Sequence, residues 1–150
     1  MKTHVKTRRP VLLHTAQRLI LRRNVLNLRH HSIVAWQRAD DLFIKLHKLS
    51  IQTFPRFERF ELGSQLRKAA YSVPANIAEG FGRRHWRERR HFLNIASASL
   101  AEVAYCVHAA WRLGYLDDLL LADLEKDLNG VGAPLAGLIR SMRLTKSDES

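Results

Sequence analysis

The stretch "AAYSVPANIAEGFGRR", residues 69–84, decides how this chain folds. It sets Pro74 inside a run whose apolar residues keep a helical period: Leu62, Leu66, Ala69, Ala70, Val73, Ile77 and Phe81. A break at the proline would lose that phase, whereas a bend keeps it. Pro74 lacks the N–H that would reach the Ala70 carbonyl, and its ring presses on the preceding turn. The pattern therefore predicts one helix with a proline kink. Gly80 and Gly82 then supply its end, with φ > 0 available at a C-terminal cap.

A polar stripe runs beside the apolar one. Gln65, Ser72, Asn76, Glu79 and Arg83 fall on one face of the same helix. Ser72 can bond back near the carbonyl that Pro74 leaves free, and Glu79 with Arg83 forms an i, i+4 pair in the favoured order. Such a stripe is either the wet side of a helix or a helix–helix or subunit seam with paired polar groups.

Working outward, Val34, Trp36, Ala39, Leu42, Phe43, Leu46 and Leu49 recur at three and four residues and predict a first helix over 33–52. Ser32 is its expected N-cap, and Pro55 in "TFPRFERFE" its stop. A third helix is expected from about residue 85 to Leu113, capped by Gly114. Its inner face holds Leu93, Ala96, Leu100, Val103, Ala104, Val107, Ala110 and Trp111. A fourth covers about 117–142, with Leu120, Leu124, Leu128, Val131, Leu135, Leu138 and Met142 inward. There the segment "NGVGAP", residues 129–134, should bend or interrupt it. Four helices with short links predict an all-α, antiparallel up-down four-helix bundle over residues 32–144, with a short disordered tail at 145–150.

Charge is spread unevenly. The chain carries 25 Lys/Arg against 14 Asp/Glu, a net +11. Eight of the basic residues and no acid lie in residues 1–31, so 17 against 14 leaves the remainder at +3. Residues 1–31 read as a basic extension: disordered, translated from upstream of the true start, or an arm for polyanions. A secretory signal fits badly, because arginines interrupt the apolar stretch and no small-residue cleavage site follows. One cysteine, Cys106, excludes an internal disulfide and fits the reducing cytoplasm. No apolar run approaches the roughly 18 residues that would span a bilayer, so no membrane partner is expected.

Catalytic motifs are not recognisable. The eight histidines include no HExxH pattern, and His85 and His91 do not share a helical face. Cys106 has only Glu102 at helical spacing and reads as a small buried residue. "EGFGRR" follows a helix rather than a strand, so its glycines read as a cap and not a phosphate loop. No cofactor, metal or enzymatic activity is expected.

The feature with binding chemistry is "RRHWRERRH", residues 83–91, whose five arginines and one glutamate make it locally +4. Arg83, Arg87 and Arg90 are expected on one face beside Trp86, with Arg84 and Arg89 adjoining. Arginine next to an aromatic suits phosphate contact with base stacking. The competing reading is a solvated helix start, or pairing between subunits with the acidic fourth-helix start at Asp117, Asp118, Asp123, Glu125 and Asp127.

The ordered blocks "IVAWQRADDLFIKLHKL", "GSQLRKAAYSVPANIAEGFGR" and "FLNIASASLAEV" resemble the bacterial four-helix-bundle proteins named for 23S rRNA intervening sequences. The resemblance covers about residues 33–142 and rests on the tryptophan-containing start at Trp36, the Gln65–Arg67 step and the Asn76–Gly82 block. It implies a homo-oligomer, a ring that is often five-fold. A related branch implies nucleic acid, RNA or DNA, and a protein partner such as a reverse transcriptase. Trp36, Gln65, Arg67, Ser72, Pro74, Asn76, Glu79, Gly80 and Gly82 are the expected structural or interface positions. Family members are expected to start near residue 32.

Overall fold

The structure is a computed structural model that describes residues 29–144. The expectations for residues 1–28 and for the tail at 145–150 lie outside the described residues. Four α-helices follow in order: α1 (Val34–Thr53), α2 (Leu62–Gly82), α3 (Trp86–Arg112) and α4 (Asp118–Leu144). Short 3-10 turns precede α1 at Arg29–Ser32 and lie between α1 and α2 at Arg56–Arg59. There is no strand among the described residues.

Each helix packs on the next, and α4 returns to α1, so the four close into a bundle. Cross-helix contacts run in opposite sequence order at each seam. Arg38 reaches Gly130 while Lys45 reaches Asp123 and Asp127. Phe43 lies on Tyr71 while Ser50 meets Arg67. Ser72 bonds Ser99, and Gly80 abuts Arg89 and Phe92. The starts of α1 and α3 therefore share one end of the bundle, and the starts of α2 and α4 share the other.

The core follows the apolar period. Leu46, Leu66, Ile77, Leu93 and Leu124 are fully buried, with Val73, Val103, Val107, Val131 and Leu135 around them. Each such side chain contributes roughly 1.5–3 kcal/mol through removal of apolar surface from water. Two expected core positions face outward instead: Val34, in the first turn of α1, is about half exposed, and Ala104 is exposed. α3 also departs from the expectation on bilayer-spanning length, since an 18-residue window within it has a mean hydropathy of 1.2. It is a bundle helix, with seven residues from Leu93 to Ala110 buried against its neighbours.

Pro74 and Pro134 both sit inside continuous helices. α2 passes through Pro74 without a break, so the unbroken apolar phase is matched by an unbroken helix. α4 likewise passes through Gly130, Gly132 and Pro134, so the interruption, one of the two outcomes expected of "NGVGAP", does not occur. The physical reason lies on α1. Pro134 cannot donate to the carbonyl four residues back, that of Gly130. Arg38 Nη1 donates to that carbonyl instead, at 2.9 Å.

The helix ends differ from the sequence reading in two places. Ser32 does not cap α1: its hydroxyl donates back to the Arg29 carbonyl at 3.0 Å, and Ile33 holds the cap position without a side-chain bond. Gly80 and Gly82 do not use positive φ, because α2 ends at extended Arg83 and Gly114 is the positive-φ glycine of the described residues. At Gly114, φ is 79°, its N–H bonds the Trp111 carbonyl, and the Tyr115 N–H bonds that of Ala110. These are the two bonds of a Schellman cap. Asp117 then opens α4, accepting the Leu120 N–H at 2.8 Å.

Three expected outcomes test this frame. Gly114→Ala forces a Cβ into the left-handed region and should destabilise the protein by about 1–2 kcal/mol, read as a lower urea midpoint at unchanged slope. Arg38→Met should cost about 0.5–1.5 kcal/mol by removing a net hydrogen bond. That cost should shrink in a Pro134→Ala background, where the Gly130 carbonyl regains a helical donor, and a double-mutant cycle measures the difference. The third concerns pH. Burial alone would lower the Lys45 ammonium's pKa, but its hydrogen bonds to Asp123 and Asp127 raise it, and the same bond holds the Asp123 carboxyl below its usual range. A depressed carboxylate stabilises the fold above its unfolded pKa and loses that contribution as pH falls through the folded value. Lys45→Met should therefore flatten the acid limb of a stability-versus-pH curve below about pH 4.

Candidate nucleic-acid interface

The arginine segment is placed by the contact between α2 and α3. Gly80 is buried where the two helices converge: a Cβ there would stand 3.1 Å from the Arg89 carbonyl oxygen and 3.3 Å from Phe92 Cβ. Further along the same seam the Ser72 and Ser99 hydroxyls share a hydrogen bond of 2.8 Å. Asn76 Nδ2 donates to both the Ser72 carbonyl and hydroxyl, at 2.8 and 2.9 Å. The Ser72 hydroxyl is thus engaged across the seam rather than with the carbonyl freed by Pro74. Two helices this close leave only Arg83, Arg84 and His85 to reverse the chain.

That geometry divides the arginines. Arg83 lies in the connection, off α3, so the expected single face of Arg83, Arg87 and Arg90 does not form. Its guanidinium pairs with Glu79 and sits 5.1 Å from the centre of the Phe92 ring. Arg89 is turned inward, 5.2 Å from the Phe81 ring centre, and donates to the Arg83 carbonyl at 3.2 Å. These two arginines hold the connection together. Arg84 and Arg87 are exposed, and Arg90 is half-buried. Arg87 sits 5.5 Å from the centre of the half-buried Trp86 ring. The Nε atoms of Arg89 and Arg90 are screened from solvent with no hydrogen-bond partner.

The same spot is the start of α3. His85 makes no side-chain cap bond, and Glu88 is the only acid in the first turn. The first-turn N–H groups and the helix dipole therefore add to the positive field of the arginines. Exposed Arg29 and Arg140 lie at this end of the bundle as well. Beside it an open groove of about 590 Å³ runs along α2, lined by Tyr71, Ala75, Ala78, Glu79, Gly82 and Arg83.

The other expected positions serve the bundle. Arg67 donates to Ser50 Oγ at 3.1 Å and to the Arg59 carbonyl at 2.6 Å, tying α2 to the end of α1 and to the turn between them. Trp36 packs its ring 4.9 Å from both His30 and His31, within the chain. Pro74 is buried in α2, whereas Gln65 and Gly82 are exposed. The acidic start of α4 is engaged internally: Asp118 accepts from Trp111 Nε1, and Asp123 and Asp127 hold Lys45. It also lies at the opposite end of the bundle from the arginines. α3 separates the two by 27 residues, about 40 Å at 1.5 Å per residue. Parallel copies set side by side could not bring those two starts together.

Cys106 is buried, and burial followed by the nearby Glu102 charge pushes its thiol up, away from the reactive thiolate. His108 is exposed beside Trp111. No group of three or more His, Cys, Asp or Glu able to hold a metal is gathered among the described residues. Sequence reasoning passed over the turn "PRFERFE", reading it as a helix stop, although it holds two exposed phenylalanines. The alternation of Arg and Phe in a segment too short to bury them was the available signal.

No curated protein matches the chain. A family model described as 23S rRNA-intervening sequence protein matches residues 31–137. That span takes in α1, α2, α3 and most of α4, including the arginine connection and the α2–α3 seam that shapes it. The chain belongs to the family of 23S rRNA-intervening sequence proteins.

Proposed function

We propose that this protein is a non-enzymatic oligomer that associates with RNA or DNA through the arginine-bearing end of its bundle. The observation that carries the reading is the placement of Arg84, Arg87 and Arg90 around the uncapped start of α3, beside Trp86. Each positive charge at a helix N-terminus costs roughly 0.3–1 kcal/mol, so the cluster is held against its own electrostatics. A polyanion relieves that repulsion, and Trp86 and Arg87 offer faces on which a base can stack. One subunit presents few free cations, too few for tight binding alone. Repetition in an oligomer, the ring that the family resemblance implies, would link such sites and raise avidity without new contacts.

The alternative is a scaffold or adaptor for a protein partner, such as a reverse transcriptase, with no direct contact to nucleic acid. Salt dependence separates the two. Each neutralised phosphate of a single strand contributes about 0.7 to the slope of log affinity against log salt. Replacing Arg84, Arg87 and Arg90 together by alanine should lower that slope by about 2 and weaken binding alike across sequences. Arg83 and Arg89 are left in place because they hold the connection. The measurement belongs on a chain lacking residues 1–28, whose seven basic residues would bind polyanions by themselves. No affinity for RNA or DNA at low salt would refute the binding reading and favour the scaffold.

A further inference from the structure

Along the outer face of α2 the chain places Tyr71, Ala75, Ala78 and Gly82, at steps of four, three and four residues that keep one side of a helix. The outer face of a bundle helix ordinarily carries charged and polar side chains. Here three of the four positions end at a Cβ or lack one, and a Cβ on Gly82 would meet nothing within 4 Å. The result is the open groove of about 590 Å³, bounded by Tyr71 at one end and by Glu79 and Arg83 at the other. From Tyr71 to Gly82 the helix runs roughly 16 Å at 1.5 Å per residue. That length matches about four or five nucleotides of a stacked strand, at roughly 3.4 Å each.

Tyr71 is 60% exposed, yet its ring is held. It meets the Phe43 ring edge to face, with centres 5.7 Å apart, and Phe43 in turn lies 5.9 Å from the ring of His47. An aromatic side chain fixed from behind and open in front is a stacking platform, and covering it costs little further ordering. At the other end Glu79 pairs with Arg83, so the groove has no net charge of its own. It opens on the connection that carries exposed Arg84. Bases suit an uncharged channel, and phosphates suit the free guanidinium groups beyond it. A duplex cannot use such a channel, because its paired bases offer only their edges. A single strand offers a π-face at every base.

We propose that this groove is the channel for unpaired bases of single-stranded RNA or DNA, with Tyr71 as its stacking residue. The inference rests on the nucleic-acid reading of the proposed function. It names the strand class and a second contact, on the side of α2 rather than at the start of α3. Stacking neutralises no phosphate, so Tyr71 contributes affinity that salt leaves in place. Arg84, Arg87 and Arg90 contribute affinity that salt removes.

The test uses the full chain with labelled single-stranded and duplex DNA of one mixed sequence, about 16 nucleotides long, read by fluorescence anisotropy over a salt series. Tyr71→Ala should weaken single-strand binding about tenfold, the loss of one stacked base. The salt slope and the duplex affinity should not change. Tyr71→Phe keeps the ring and should bind as the wild type does. Ala78→Leu fills the floor of the groove, leaves the tyrosine in place, and should weaken the single strand alone. Circular dichroism and melting of these variants should match the wild type, because both positions lie on the outer face. Single-strand affinity unchanged in Tyr71→Ala or Ala78→Leu, or lost equally for the duplex, overturns the channel and leaves the arginine reading standing. A change of mass by light scattering in either variant does the same, since the groove is then a contact with another subunit. A full chain without affinity for either form of DNA at low salt overturns both.

Discussion

The close approach of α2 and α3 at Gly80 is the constraint on which the rest of the molecule depends. A side chain at that position would meet the Arg89 backbone and Phe92, so the absence of a Cβ lets the helices converge. Convergence brings the Ser72 and Ser99 hydroxyls within hydrogen-bonding distance and gives a buried polar atom its partner. It also shortens the connection to three residues and folds Arg83 and Arg89 back onto Phe92 and Phe81. The remaining arginines are left around the start of α3. Helix packing and the character of that end are thus one arrangement.

The two prolines show how a bundle tolerates residues that isolated helices reject. A proline in a helix interior costs about 3 kcal/mol when nothing compensates. In α4 the carbonyl that loses its helical donor is met by a guanidinium from α1. The helix stays whole because a neighbour supplies the missing hydrogen bond. Arg38 is therefore a packing residue with a polar task, although its long side chain and partial exposure make it look like ordinary wet surface.

The bundle has ends of opposite character. One gathers exposed arginines and an uncapped helix start, and the other holds large apolar side chains on a support fixed by Glu58, Arg67 and Tyr115. The distribution follows from antiparallel order, which puts the α2–α3 connection at one end and the other two connections together at the far one. Segregation leaves exposed arginines around one end and large exposed apolar side chains at the other.

What the sequence by itself determined was the number, extent and inner faces of the helices. The apolar period from Leu62 to Phe81 ran unbroken through Pro74, and it alone required one helix there. The signature blocks around Gln65–Arg67 and Asn76–Gly82 pointed to the family that the chain belongs to. Only the tertiary structure decided the roles that depend on neighbours distant in sequence. Gly80 turned out to serve close packing rather than a positive-φ cap, because its partner lies on α3. "NGVGAP" stayed helical because Arg38, 92 residues away, bonds the freed carbonyl. Arg83 left the expected arginine face because the connection is too short to be helical there. Periodicity is a local property and was legible. Which hydrogen bonds a neighbouring helix can supply is not local, and it became visible only once the four helices were packed.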